Sequence, residues 1–348
     1  MDTEAGRERI LISRMKFIGD VVLTTPLIRS LRNAFPGATI AYLGEKEAVS
    51  LLEHNPFLDE IIPFDFQRSL LLEQMRVVRR LRSRKFTLAI DLFGNPRTAL
   101  LTYLSGARVR VGPDRKGRGA LYTVRIRDDG KAKSAIEFHN QSLHALGITP
   151  VATRTEIFLT PAEREAGRAC VEEIAGGRRR VVGIHPGATW PAKRWLPERF
   201  AGLADALVRG GAAVVLTGGA RDAGAIEEVR AASERAHPAV LNVPLRTLAA
   251  VIASCDVFVS NDAGPLHIAA AVGTPAVGLF GPGEENIWFP YRAEDGHRAL
   301  RKDVPCHPCH LDFCNRTGGG YMECMKLLGL PEVLGAVENV LQHKAAVR

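Results

Sequence analysis

Aromatic residues are scarce, 6% of 348, and no basic stretch is interleaved with aromatic side chains on which bases could stack. That argues against nucleic acid as the partner, although the net charge is +8. Long apolar runs are missing as well. None approaches the ~18 residues of a membrane-spanning helix. Met1–Arg9 is charged, carries three acidic residues and is followed by no apolar segment, so a secretory signal is not expected. The expected location is the cytoplasm, with a peripheral place on the inner face of the cytoplasmic membrane open to it. Six cysteines in a chain of this size do not suggest a disulfide scaffold. There is no Asp-x-Asp pair of the kind that holds a metal against a sugar diphosphate, and no GxSxG nucleophile elbow.

What is present is an ordinary globular composition, 46% hydrophobic and 24% charged, in a chain long enough for two domains. The basic balance fits a phosphorylated substrate or an anionic membrane, or else a merely solvated basic surface.

Short apolar runs alternate with helical stretches. Strands are expected at Arg9–Arg14, Ala38–Gly44, Asp59–Phe64, Thr87–Leu92 and Arg108–Gly112, with helices between them. The pattern recurs at Arg180–His185, Ala212–Thr217, Ala239–Val243, Val257–Val259 and Ala276–Phe280. Such alternation indicates parallel sheets with helices on both faces. The expected class is α/β: two doubly wound, Rossmann-like domains whose strand C-terminal ends face a central cleft. Domain boundaries fall at 1–159 and 178–348, with a linker helix in 160–177 and a last helix, Pro331–His343, able to pack on either domain. Asp114–Ala135 reads as a mobile loop.

Five stretches carry candidate chemistry. In Asp256–Gly283 a strand runs through Ser260-Asn261-Asp262-Ala263-Gly264 into a small-residue helix opened by Pro265. The unpaired N–H groups and positive end of that helix suit a phosphate or phosphorylated sugar, and Asp262 and His267 can line the same crevice, each able to bond a hydroxyl or phosphate oxygen. Asp20 follows the first strand, after Gly19, which lets the backbone approach a ligand. Asp20 could take a proton from a hydroxyl, or could cap a helix. In His185–Trp195 (HPGATWPAKRW), Thr189, backbone N–H groups and Lys193 could grip a diphosphate, and Arg194 is expected to point to solvent; the GxxxxGK[ST] spacing of a P-loop is absent. A basic surface loop with packed tryptophans is the alternative. In Thr217-Gly218-Gly219-Ala220-Arg221-Asp222, Asp222 stands where a ribose hydroxyl is often held, or where a helix is capped. Finally, Cys306, Cys309, Cys314 and Cys324 lie within nineteen residues with His307 and His310 among them. They could hold a structural zinc ion, or could be free thiols.

Taken together and in order, Ile18-Gly19-Asp20 with VVLTTPLIRSLRNAFPGATI, HPGATWPAKRWLPERF, LTGGARD and SNDAGPLHIAAAVGTPAVGLFGP resemble glycosyltransferase family 9, the ADP-heptose:lipopolysaccharide heptosyltransferases. The resemblance covers nearly the whole chain. It implies a GT-B fold, with an anionic glycolipid acceptor on the N-terminal domain and an ADP-sugar donor on the C-terminal domain. Transfer would be inverting and would need no cofactor. Asp20 would be the general base and Lys193 the catalytic counter-charge. Gly19, Thr189, Asp222, Asp262, Ala263, Gly264, Pro265 and His267 would contact the donor, and Lys16, Arg97, Arg115, Lys116 and Arg118 the acceptor. Two other readings are a GT-B enzyme using a UDP-sugar, by transfer or epimerisation, and a non-catalytic nucleotide- or polyanion-binding module.

Overall fold

The computed structural model describes residues 8–347; residues 1–7, most of the charged N-terminal stretch, lie outside that range. The chain forms two compact units, one ending at Phe158 and the other beginning at Leu159. Each is built on a six-stranded parallel sheet.

The first sheet contains β1 (Arg9–Ser13), β2 (Thr39–Glu45), β3 (Glu60–Phe64), β4 (Leu88–Asp91), β5 (Val109–Pro113) and β6 (Val124–Ile126), in the order β3-β2-β1-β4-β5-β6. The second contains β7 (Val181–His185), β8 (Ala213–Gly218), β9 (Ala239–Leu241), β10 (Val257–Asn261), β11 (Ala276–Leu279) and β12 (Arg298–Leu300), in the order β12-β11-β10-β7-β8-β9. Counted from its own first strand, the second sheet repeats the order of the first. In both, the direction of winding reverses beside the first strand, between β1 and β4 and between β7 and β10. At such a switch point the loops leaving the strand C-terminal ends diverge and open a crevice.

Side chains alternate across each sheet, so each strand feeds two cores. Ile10, Ile12, Ile40, Tyr42 and Ile90 enter one layer of the first unit, and Leu11, Ala41, Leu43 and Ala89 enter the other. In the second unit Ile184, Leu216, Val259 and Leu279 pack with Trp195 and Phe200, while Val181, Ala213 and Val215 pack with Val171 and Val251. The helix Pro161–Ala175 therefore belongs to the second unit's core. Its Thr160–Glu163 capping box is extended by Arg246, whose guanidinium lies 2.5 and 2.7 Å from the two Glu163 oxygens. Arg246 holds the Glu163 carboxyl down at about 2. The last helix, Leu330–Val347, also packs on the second unit, with Val333 and Val337 against the core. No helix of the described residues is long and apolar enough to cross a membrane.

Each unit has six strands where five are expected from the alternation. The extra strands, β6 and β12, are three residues long and pair on one side only, which leaves almost no periodic signal. The stretch read as a mobile loop thus holds a 3₁₀ turn, Arg118–Leu121, and edge strand β6. Its buried Tyr122 donates to Asp91 at 2.7 Å. Between β1 and β2, where the alternation calls for one helix, there are two, Ile18–Val22 and Thr25–Ala34. Pro26 can enter only a first turn, and Thr24 and Thr25 donate back to the Val21 and Val22 carbonyls at 2.7 and 2.8 Å.

Candidate active site

In the second unit the candidate residues gather on the loops after β7 and β10. Asn261, buried at the end of β10, ties them together. Its amide N–H groups donate to the Pro186 and Gly187 carbonyls at 2.9 and 3.2 Å, and its Oδ1 accepts the Trp195 backbone N–H at 3.0 Å. One side chain thus pins both ends of the His185–Trp195 loop. Trp195 is buried and donates to the Leu328 carbonyl at 2.8 Å. Arg194 does not point freely to solvent: it is half-buried and its Nε donates to Ala188 O at 3.1 Å, stapling the loop from inside.

Between those pins, a 3₁₀ turn over Pro191–Lys193 brings Lys193 Nζ to 2.5 Å from Asp262 Oδ2 and 4.3 Å from the centre of the Trp190 ring. The contact with Asp262 is one of charge. It lies off the direction of a hydrogen bond, and the buried Oδ2 makes none. The Gly283 backbone closes over the pair: a Cβ there would sit 2.8 Å from Asp262 Oδ2. The helix Gly264–Val272 begins beside it, with Pro265 in its first turn. Its N-cap, Ala263, has no side-chain oxygen, so no side chain caps the first turn. His267, in that first turn, is buried and its Nδ1 lies 2.8 Å from Tyr291 Oη. Thr189 is exposed at the loop tip.

Asp222 is a turn residue. One oxygen accepts the Gly219 N–H at 2.9 Å, and the other stands 2.0 Å from where a Cβ on Gly187 would be. Only glycine fits at 187 while Asp222 keeps this place. His185 Nε2 is 3.9 Å from Asp222. Burial pushes the His185 pKa down against the pull of that carboxylate.

In the first unit, Asp20 sits inside the short helix Ile18–Val22, where one carboxylate oxygen accepts the Phe17 N–H at 3.0 Å. The other is paired with Arg14, just past β1. Arg14 is itself held by the Leu92 carbonyl at 2.8 Å and lies 4.6 Å from the Phe93 ring centre. Both partners are nearly buried, with side chains 11% and 12% exposed. Arg14 was not singled out from sequence, although a charged residue closing the apolar run RILIS was a visible signal. Buried His139, whose Nδ1 lies 3.4 Å from Leu23 O, feels the charges of the same pair. Burial pushes its pKa down to about 4, and Arg14 adds to that.

Two of the five basic residues expected to hold an acceptor converge: Lys16 lies 4.5 Å and Arg97 5.0 Å from the Phe66 ring centre. Arg118 donates to Gly94 O at 2.9 Å, on the loop that leads to Arg97. Arg115 packs on Phe138 at 5.2 Å, and Lys116 is exposed. Among the described residues, five buried side-chain polar atoms lack a hydrogen bond, and three of them are Arg14 Nε, Arg97 Nε and Asp262 Oδ2. Unsatisfied polar atoms are rare in folded proteins, and ligand sites are one place where they are kept.

No three His, Cys, Asp or Glu side chains among the described residues are grouped to hold a metal ion. Cys306, Cys309, Cys314 and Cys324 are free, half-buried thiols. They are near enough to act on one another: burial first, then the other three sulfurs, push the Cys324 thiol up to about 11. The loop's polar groups serve the site's walls instead. The Cys309 and His310 N–H groups donate to Pro282 O at 3.2 and 3.1 Å, His307 Nε2 meets Gly283 O at 3.0 Å, and Asp312 O accepts from Ala192 at 3.0 Å.

Two doubly wound units, with a cation and an uncapped helix end at one switch point and a clamped carboxylate at the other, define a GT-B glycosyltransferase. Residues 74–316 match the family model for glycosyltransferase family 9 (heptosyltransferase), and the chain belongs to that family. It is 28% identical over 345 residues to lipopolysaccharide heptosyltransferase 2 of Escherichia coli K12, covering 93% of this chain and 99% of that protein. It is 29% identical over 290 residues to an E. coli lipopolysaccharide heptosyltransferase 3, covering 80% and 84%. Among solved structures, a family 9 glycosyl transferase from Veillonella parvula superposes with a TM-score of 0.84 at 25% identity, covering 98% of this chain and 99% of that one.

Proposed function

We propose that the protein transfers a heptose-type sugar from an ADP-sugar to a lipopolysaccharide-core acceptor, inverting the anomeric centre without a catalytic metal. The acceptor is an anionic glycolipid at the inner face of the cytoplasmic membrane, bound by the N-terminal unit, and the C-terminal unit takes the donor. Relatives named for lipopolysaccharide heptose transfer support the substrate class, and a more distant E. coli heptosyltransferase of similar fold was solved with ADP.

Asp20 is the base in this reading. It removes the acceptor hydroxyl proton as the oxygen attacks the anomeric carbon, and the bond to the diphosphate breaks on the opposite face. The electron pair leaves on the diphosphate, whose charge rises. Lys193 and the open helix end at Gly264 stabilise that charge, work done elsewhere by a metal. The observation that carries the reading is Lys193 against Asp262 beside a helix end with no side-chain cap. As the diphosphate enters, Lys193 turns from Asp262 to it, and Asp262 is left to the donor sugar's hydroxyls. Thr189 and His267 complete the donor contacts, and Asp222 supports the loop from below. Lys16 and Arg97 hold acidic groups of the acceptor, and Arg115, Lys116 and Arg118 add contacts from the segment after β5.

The test is a transfer assay with ADP-heptose and UDP-sugars on a heptose-deficient lipopolysaccharide acceptor, with and without EDTA, and NMR of the product's anomeric centre. Transfer from ADP-heptose with inversion, unaffected by EDTA, is expected. Retention, a strict UDP preference, or loss of activity with EDTA while the fold persists would overturn the respective part.

A further inference from the structure

The helix Leu70–Arg84 carries a surface that neither donor nor acceptor chemistry uses. Its buried face is Glu73, Val77 and Leu81. The opposite side begins with large apolar residues in water: Leu71 is 67% exposed, Leu72 66% and Met75 42%. One stripe, Leu71-Met75-Arg79-Arg82, follows the helical spacing, apolar over its first turns and basic over its last. The helix has one acidic residue, Glu73, which is turned inward and paired with Arg76. Arg68, with a side chain 63% exposed, precedes it. Arg80 and Arg84 are paired with Glu60, but Arg79 and Arg82 have no ion pair among the described residues, Arg82 Nε donating only to Leu104 O at 3.1 Å. Apolar side chains beside these two cations suit a surface that is apolar inside and anionic outside. A second copy fits less well, because a two-fold contact through this stripe would bring arginines against arginines.

We propose that this face docks the protein on a bilayer of anionic phospholipid. Leu71, Leu72 and Met75 enter the headgroup–acyl boundary, while Arg68, Arg79 and Arg82 meet lipid phosphates. The proposal rests on the membrane-borne acceptor of the preceding reading and names the surface that reaches it. The connection is continuous within the first unit. Arg68 and Lys46 share Asp65 at 3.7 and 3.3 Å. The neighbouring Phe66 carries Lys16 and Arg97. Phe17, 53% exposed, stands beside both Lys16 and the Asp20 helix. Docking here sets the acceptor-binding cluster at headgroup height.

The full chain is sedimented with vesicles of phosphatidylcholine alone and with about one third phosphatidylglycerol, without donor or acceptor, so the result does not depend on catalysis. Binding to the anionic vesicles, weakened by salt, is expected. Leu71→Glu/Leu72→Glu should lower it about tenfold or more, and Arg79→Gln/Arg82→Gln should lower it several-fold, each with an unchanged melting temperature. Both should retain transfer to a detergent-dispersed acceptor. Unchanged vesicle binding in both variants overturns the proposal. So does a parent that ignores vesicles but forms dimers that Leu71→Glu/Leu72→Glu dissociates, since the face is then a contact between copies. If the glutamate pair fails to fold, the glutamine pair decides.

Discussion

The two units wind their sheets in the same order, yet equivalent helices start differently. After β4, the helix Pro96–Leu104 is closed by its own sequence: the Asn95 side chain accepts the Thr98 N–H at 2.8 Å. After β10, the helix Gly264–Val272 starts from Ala263, which has nothing to offer. The same backbone topology yields a self-satisfied helix end in one unit and one open to an outside anion in the other. A doubly wound fold thus provides the place, and one capping residue decides whether a ligand is needed there. The switch-point carboxylates differ in the same way. Asp20 is held by Arg14 and a backbone N–H, whereas Asp262 has a lysine at 2.5 Å but no hydrogen bond on Oδ2.

If the units divide the chemistry as proposed, the largest effect belongs to the first. Asp20→Asn should lower turnover by roughly 10²–10⁴ while leaving ADP affinity near that of the parent. The asparagine can still accept the Phe17 N–H, so a melting curve separates lost chemistry from lost fold. Near-normal turnover would reduce Asp20 to a helix-terminus residue. In the second unit, Lys193→Ala should raise the barrier by about 2–4 kcal/mol, acting on kcat more than on ADP affinity. A change confined to KM would remove Lys193 from the leaving-group role. Arg194→Ala is no neutral control, because it removes the staple to Ala188.

A smaller effect separates the units by pH. His139 is neutral when folded, with a pKa near 4 against 6.5 when free. Between those values the unfolded chain binds a proton that the folded one does not, so stability rises with pH across that window and is lost on acidification. His139→Gln should remove at most about 3 kcal/mol of the stability change across the window, read by denaturant titration at both ends of it. An unchanged slope would mean that His139 is not the group responsible.

The smallest effects test the caps directly. Asn95→Ala should cost about 0.5–2 kcal/mol of stability and leave nucleotide binding alone. Ala263→Asp should do the reverse, stabilising the fold by up to about 1 kcal/mol while weakening ADP by charge and by occupying the open N–H groups. Calorimetry with ADP beside a thermal melt reads both, and equal ADP affinity in the two variants would dissolve the contrast between the helix ends.

Much of this was legible because it is local. Buried parallel strands such as RILIS and VVGIH show as apolar runs, and Pro161, Pro197 and Pro265 mark helix starts through their missing N–H. The stretch Asn261–His267 announces a helix end at a strand terminus within a few residues. The misses need a partner far along the chain. Arg14 looked like the end of a strand until Leu92, Phe93 and Asp20 surrounded it. Tyr291 has no motif and reaches His267 only through the fold. The role of the Cys306–Cys324 loop in holding Pro282 and Gly283 likewise has no signal in consecutive residues.

The class of fold, its doubling and the family are all written in consecutive residues, as hydrophobic alternation and strand–loop–helix strings. Which polar groups meet depends on the assembled sheets: Lys193 with Asp262, Arg14 with Asp20, and Asn261 with both ends of the loop that carries Lys193. The reason is physical. A parallel sheet needs a crossover between neighbouring strands, so the loops that meet at a switch point are dozens of residues apart in the chain and become neighbours only when the sheet is assembled.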